Sequence, residues 1–182
     1  MSRRARALVF LTAARLPETL LLLRLQDLGV PVATIPLIWA ALHVVRSGAS
    51  YPGGWLVDRM GTRGSVAMGA LLYAGVAGAL AAALGTAAAI GVFLLYGVVA
   101  GLLEPAERVA ITRLAPVRTG RGFGDYQGLS GLAALPAGLA FGLAYKSAGG
   151  PAALLVSAGC LMLGTLFWLA VNRAGALSPR AP

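Results

Sequence analysis

The chain has 182 residues, of which 58% are hydrophobic and 12% are charged, with a formal net charge of +9 and a mean hydropathy of +0.80. Runs of about 20 residues with few charges recur along it, the length a helix needs to cross a ~30 Å hydrocarbon core. This composition excludes a soluble domain and predicts an all-α polytopic membrane protein. A single cysteine, Cys160, excludes both an internal disulfide and a cysteine metal site within one chain.

The apolar runs predict a single six-helix transmembrane domain over residues 1–182, and no soluble domain. A tight turn at residues 28–30, a charged turn at 54–64 and a basic loop at 118–122 separate some of the runs. The first span contains Arg15, Pro17 and Glu18, so we interpret it as a retained helix and not as a signal peptide. The spans are expected at residues 7–28, 31–57, 65–84, 87–113, 123–145 and 151–172.

Basic residues collect on one side of this arrangement, as the positive-inside rule requires of short cytoplasmic loops. Both termini are therefore expected in the cytoplasm, and the positive charge does not indicate a nucleic-acid partner. Lys146 lies on the other side, and Arg24 and Asp27 are expected to snorkel to the outer interface. The basic residues of the cytoplasmic side are Arg3, Arg4, Arg6, Arg59, Arg63, Arg113, Arg118, Arg121, Arg173 and Arg180.

Residues 54–64 form a glycine-punctuated, charged turn between the second and third spans. Gly61 permits a positive φ, and Asp58 is suited to accept hydrogen bonds from a helix N-terminus. Arg59 and Arg63 are expected to face the inner leaflet. Together with Gly54, these residues give a pattern that resembles the signature loop of the major facilitator superfamily.

The resemblance to facilitators covers nearly the whole chain. Residues 14–18, 39–45, 101–108 and 121–124 are similar to the C-terminal half of bacterial facilitator-type permeases. It implies one six-helix half, built from two three-helix units of opposite membrane sense, whose first and fourth helices line a central cavity. One departure is Arg113, which stands where facilitators often carry an acid at the cytoplasmic end of the fourth helix.

Ionisable side chains inside the spans are the main functional signal, because each costs on the order of 2.5 to 3.5 kcal/mol at the bilayer centre. Arg15 and Glu18 are three residues apart in the first span, and Glu104, Glu107 and Arg108 share the fourth. Arg15 and Glu104 both fall within roughly 6 Å of the midplane, on its cytoplasmic side, so a pair between them is one hypothesis. They form either a substrate or proton site or a structural ion pair between helices.

The second span adds His43 and Arg46 near the midplane. Because histidine titrates near neutral pH, His43 is a candidate for proton transfer. The alternative is a hydrogen bond between helices. Both residues are therefore counted among the cavity candidates.

The fifth span carries a nearly continuous glycine stripe, and small residues allow helices to approach closely. The resemblance implies that the stripe packs against the second helix of another half, which would offer Ser47, Gly48, Ser50 and Gly54. Packing within the same six-helix bundle is the alternative. The stripe consists of Gly124, Gly128, Gly131, Gly138 and Gly142.

These features predict a half-size secondary transporter of a small molecule or ion in the bacterial inner membrane. It is expected to act as a parallel homodimer with alternating access, possible proton coupling and no cofactor. One alternative pairs the chain with a separately encoded N-terminal half, and another is a non-transporting membrane scaffold or fragment. No enzyme is expected, because Glu104 and Glu107 have neither a metal-ligand cluster nor a nucleophile and histidine pair beside them.

Overall fold

The computed structural model describes residues 3–83, 85–114 and 117–173, and these residues form helices and no strands, which confirms the all-α prediction. In this part of the chain, three helices are long and apolar enough to cross a membrane: Val32–Ala82, Thr86–Leu114 and Thr119–Asn172. The elements in order are α1 (Arg3–Ala13), α2 (Glu18–Asp27), a 3-10 turn (Val32–Thr34), α3 (Ile35–Ala82), α4 (Thr86–Leu114) and α5 (Thr119–Arg173).

The first predicted helix is interrupted between α1 and α2, over residues 14–17. Pro17 has no N–H to continue the helix, and its ring disfavours a helical residue before it. The carbonyls freed by the break are satisfied by other helices: Tyr73 donates to Leu16 O at 3.0 Å and Ser157 donates to Ala14 O at 2.7 Å. The expectation of one continuous, kinked helix over residues 7–28 is therefore wrong.

Helix α3 folds back on itself at Gly61, whose φ of 74° is accessible to glycine without steric cost. Ser65 Oγ lies 3.5 Å from Leu56 O, although an unbroken helix would separate positions nine residues apart by about 13 Å. The reversal needs one residue. The expected loop over residues 54–64 is wrong, since the chain is helical up to Met60 and again from Thr62.

Helix α5 reverses direction in the same way at Gly149, where φ is 85°. Thr12 makes a 2.6 Å hydroxyl contact with Tyr126, while Leu11 packs against Gly164. Positions 126 and 164 would be about 57 Å apart in an unbroken helix, yet both lie against one turn of α1. The predicted joints at residues 118–122 and 146–150 are largely helical instead.

The end of α3 around Leu80 and Ala81 is held by a side chain of α2 that binds its free carbonyls. Arg24 is 9% exposed and donates to Leu80 O and Ala81 O at 3.4 and 3.2 Å. The last carbonyls of α3 lack helical partners and attract a cation, so Arg24 is buried against this helix end, and its expected position at the membrane interface stays a prediction. Asp27 is exposed and accepts a hydrogen bond from Tyr145.

Helices α3 and α4 touch through glycines, which bring their backbones into contact. A Cβ at Gly101 would lie 2.7 Å from Ala49 Cβ, and one at Gly53 would lie 2.7 Å from Gly101 O. At such spacing a methyl group cannot be accommodated unless a helix moves. The contact places Arg46, one turn before Ala49, directly against α4.

We expect Gly101→Ala to destabilise the protein by about 1–3 kcal/mol, the typical cost of overpacking a tight core. Gly91→Ala is the matched control on the same helix, because its new methyl group would have no atom within 4 Å. Alanine is the better helix former by about 1 kcal/mol, so the control is expected to be neutral or stabilising. Thermal unfolding in detergent measures both, and equal midpoints would contradict the contact.

Candidate functional site

Six ionisable side chains come together where α2, α3 and α4 meet the break after α1. They contribute three positive and three negative charges, so the group is formally neutral. All six were singled out from the sequence. We call this group the charge cluster, and it consists of Arg15, Glu18, Arg46, Glu104, Glu107 and Arg108.

Arg46 is the centre of the charge cluster. Its Nη1 donates to Glu18 Oε1 at 2.8 Å, and its Nη2 donates to Glu104 Oε1. Arg46 therefore bridges α2 and α4 from its position on α3. Each of the three side chains keeps 26–29% of its surface exposed. The centre of the cluster is thus half-buried and not sealed.

Glu18 accepts a second hydrogen bond, from the hydroxyl of Tyr96 at 2.8 Å. Tyr96 was not predicted as a site residue. It lies two helical turns before Glu104 on α4, and this spacing was the available signal. The ring of Tyr96 also packs edge-on against Tyr73, which holds the carbonyl of Leu16 in the break.

Arg15 pairs with Glu107, and the side chains are 20% and 12% exposed. The hypothesis of a pair between Arg15 and Glu104 is therefore wrong. Arg15 lies in the interruption between α1 and α2, so its direction does not follow helical geometry, and Arg46 already binds Glu104. The Nε of Arg15 is buried without a hydrogen-bond partner in the described part of the chain.

Arg108 is the least engaged member of the charge cluster. Its side chain is 74% exposed, and its Nη2 is 4.0 Å from Glu104 Oε2, at the limit of an ion pair. It borders a cavity of about 470 Å³ between α4 and the first turns of α5, which Glu104 and Glu107 also line. Phe123, Tyr126 and Gln127 provide the opposite wall.

His43 is not part of the charge cluster. Its ring is half-buried and packs edge-on against Trp39, with the centroids 4.4 Å apart. In the described part of the chain, no hydrogen bond or ion pair joins His43 to an acid of the charge cluster. The structure thus does not bring this cavity candidate together with the others.

Gly61 divides α3 into two arms, residues 35–60 and 62–82, and segment 54–64 covers the end of the first arm and the start of the second. Arg59 lies over the ring of Trp55, with its guanidinium carbon 5.1 Å from the ring centroid. Asp58 is exposed, and no described hydrogen bond joins it to the helix that starts after Gly61. The hydrogen bonds expected of Asp58 are therefore not present.

The reversal at Gly61 is fixed against the end of α5. Trp168 Nε1 donates to the carbonyl of Arg63 at 3.1 Å, and Arg63 Nη2 donates to Leu169 O at 3.4 Å. Arg63 is half-buried, so it does not simply face the inner leaflet as expected. This contact joins the second arm of α3 to the last turns of α5.

The two faces predicted to meet a second subunit are uncovered in the single chain. A Cβ added at Gly48, at Gly54 or at any glycine of the stripe would have no atom within 4 Å. Ser47 is exposed, and Ser50 donates back to Arg46 O at 3.0 Å. The alternative that the stripe packs inside its own bundle is therefore wrong. The stripe residues are Gly124, Gly128, Gly131, Gly138 and Gly142.

Within residues 3–83, 85–114 and 117–173, no group of three histidine, cysteine, aspartate or glutamate side chains is arranged to hold a metal ion. Comparison of the sequence with models of known protein families finds no match, and comparison with curated proteins finds no similar one.

Proposed function

We propose that the chain is a half-size secondary transporter of a small solute, and that it works in a cell membrane as a parallel homodimer. The observation that carries this proposal is the charge cluster. Its six ionisable groups lie among apolar helices and keep part of their surface open, and three of them, Glu104, Glu107 and Arg108, border a cavity. Intramembrane ionisable residues of this kind typically mark a solute or ion pathway.

Arg108 supports transport over a purely structural role. A structural ion pair requires only that opposite charges satisfy each other, as Arg46 and Arg15 do with the three acids. Arg108 is the remaining cation, and it points a mostly exposed guanidinium at the cavity edge. An anionic group on the solute would complete its coordination.

The proposal requires six membrane spans. The arms of α3 cover residues 35–60 and 62–82 and are about 39 and 31 Å long, so each suffices for a ~30 Å core. The arms of α5, residues 119–148 and 150–173, are longer than this as well. With α1 and α2 as one interrupted span, both termini lie on the same side, which we assign to the cytoplasm.

The uncovered faces support the homodimer. In the single chain the centre of the charge cluster keeps part of its surface exposed, and a Cβ at any glycine of the α5 stripe would have no atom within 4 Å. A second copy in the same membrane orientation would set its exposed Ser47 and Gly48 against that stripe. The two charge clusters would then face each other across one passage, and rocking of the copies would expose it alternately to either side.

We expect the detergent-solubilised particle to contain two copies of the 18.4 kDa chain. Gly131→Leu and Gly138→Leu are expected to convert it to a monomer without unfolding, because both positions are open in the single chain. Gly159→Leu is the matched control on the other arm of α5, also with no atom within 4 Å, and should remain dimeric. Light scattering with detergent correction, repeated in lipid nanodiscs, gives the mass.

Each outcome of this measurement decides between assemblies. A particle that is monomeric in detergent and in lipid would overturn the homodimer. Co-purification of an unlike six-helix protein would favour a transporter split between two genes. If all three leucine variants remain dimeric, the two copies meet at a different surface.

A further inference from the structure

A second pocket, of about 270 Å³, lies at the C-terminal end of α4, one to two helical turns beyond the acids and Arg108 of the charge cluster. It forms where the start of α1, the segment after Gly61, the end of α4 and the last turns of α5 meet. We call it the arginine pocket. Its polar and aromatic lining consists of Arg4, Thr62, Arg63, Arg113, Trp168 and Asn172.

Three guanidinium groups line this pocket, and no carboxylate does. No ion pair within 4.0 Å joins Arg4, Arg63 or Arg113 to an acid in the described part of the chain. Arg113 is exposed and Arg4 and Arg63 are half-buried, so the three like charges are only partly screened by solvent. The charge cluster balances its arginines with acids, whereas the arginine pocket has an uncompensated charge of +3.

Donors inside the pocket also lack partners. Thr62 is 8% exposed, and its hydroxyl has no hydrogen bond among the described residues. The Nε of Arg63 is buried and equally unpartnered, although its Nη2 binds a carbonyl of α5. Buried polar groups are nearly always paired with protein, water or a ligand. A ligand with several acceptor oxygens would satisfy both.

We propose that the arginine pocket binds a phosphate group, and that the phosphate belongs to the headgroup of an anionic phospholipid. The planar fork of arginine matches phosphate oxygens in pairs. The pocket lies at the ends of membrane-length helices, and the headgroups of a bilayer are expected at this depth. This site is separate from the transport proposal and stands without it.

The test uses the full chain, delipidated in detergent and titrated with phosphatidylglycerol or phosphatidylcholine, with bound lipid counted by native mass spectrometry. We expect phosphatidylglycerol to be preferred. Arg113→Gln and Arg4→Gln should each weaken its binding about fivefold, the effect of removing one cation near anionic lipid. Arg118→Gln is the matched control, an exposed arginine just beyond the end of α4 and outside the pocket.

A further variant, Arg113→Glu, supplies an internal carboxylate to the pocket. We expect it to remove the preference for phosphatidylglycerol and to raise the unfolding midpoint in phosphatidylcholine nanodiscs. Equal weakening by Arg118→Gln would reveal general surface attraction and overturn the site. Inorganic phosphate that binds with the same arginine dependence, without any preference between the lipids, would overturn the headgroup as the source.

Discussion

Arg108→Gln is expected to reduce solute flux in proteoliposomes roughly tenfold or more while leaving thermal unfolding unchanged. The reduction corresponds to one lost charge-assisted hydrogen bond to the solute, about 1.5 kcal/mol or more. Stability should not change, since the side chain is 74% exposed and its contact with Glu104 is at 4.0 Å. Counterflow of a panel of radiolabelled organic anions and cations provides the measurement.

Arg121→Gln is the matched control for this prediction. Arg121 is 69% exposed and lies 4.0 Å from Asp125 four residues along its helix, so it reproduces the local environment of Arg108. It does not line the cavity beside the charge cluster. Equal flux losses in the two variants would contradict a specific role for Arg108. Absence of flux for every solute in the wild-type protein would favour a membrane scaffold.

Arg46→Met is expected to have the largest effect on stability, a loss of roughly 2 to 4 kcal/mol. The loss approaches the ~3–5 kcal/mol cost of breaking a buried ion pair, reduced because about a quarter of each side chain is exposed. Removal of Arg46 leaves Glu18 and Glu104 without their shared cation. Chemical denaturation in mixed micelles measures the change.

The origin of this loss can be separated from packing by a rescue experiment. Glu18→Gln and Glu104→Gln, added to Arg46→Met, remove the unpaired charges while keeping the side-chain shapes. We expect most of the stability to return, because an uncompensated buried charge costs more than an absent pair. A triple variant as unstable as Arg46→Met would instead attribute the loss to the packing of Arg46 between the helices.

The helical class was predictable because apolar runs of membrane length are a strong signal in composition. The exact ends of the helices were not. Gly61 and Gly149 reverse the chain in one residue each, so the expected polar loops around them are largely helical. The positive φ of Gly61 was expected and is confirmed. The sequence did not show which of Gly149 and Gly150 would reverse α5, because glycines that turn the chain and glycines that allow close packing look alike.

The members of the charge cluster were predictable, but their pairing was not. Spacing along one helix places Glu104 and Glu107 a turn apart, yet it does not tell which arginine reaches each acid. The outcome depended on the break before Glu18, which redirects Arg15 to Glu107, and on the glycine contact that brings Arg46 to α4. Pro17 makes the break itself visible in the sequence, but the acid that Arg15 reaches and the close approach of α3 to α4 depend on tertiary packing.

The reversals at Gly61 and Gly149 each take one residue, so no flexible linker separates the two arms that they join. Each pair of arms must therefore tilt together, since even a small independent shift would have to be absorbed by one glycine's dihedral angles. A peptide tag inserted after Gly61 would lengthen this tether and uncouple the arms, whereas the longer connection at residues 28–34 can accommodate relative displacement. We therefore expect any large movement of this molecule to occur between the two pairs of arms, and not between the two arms of one pair.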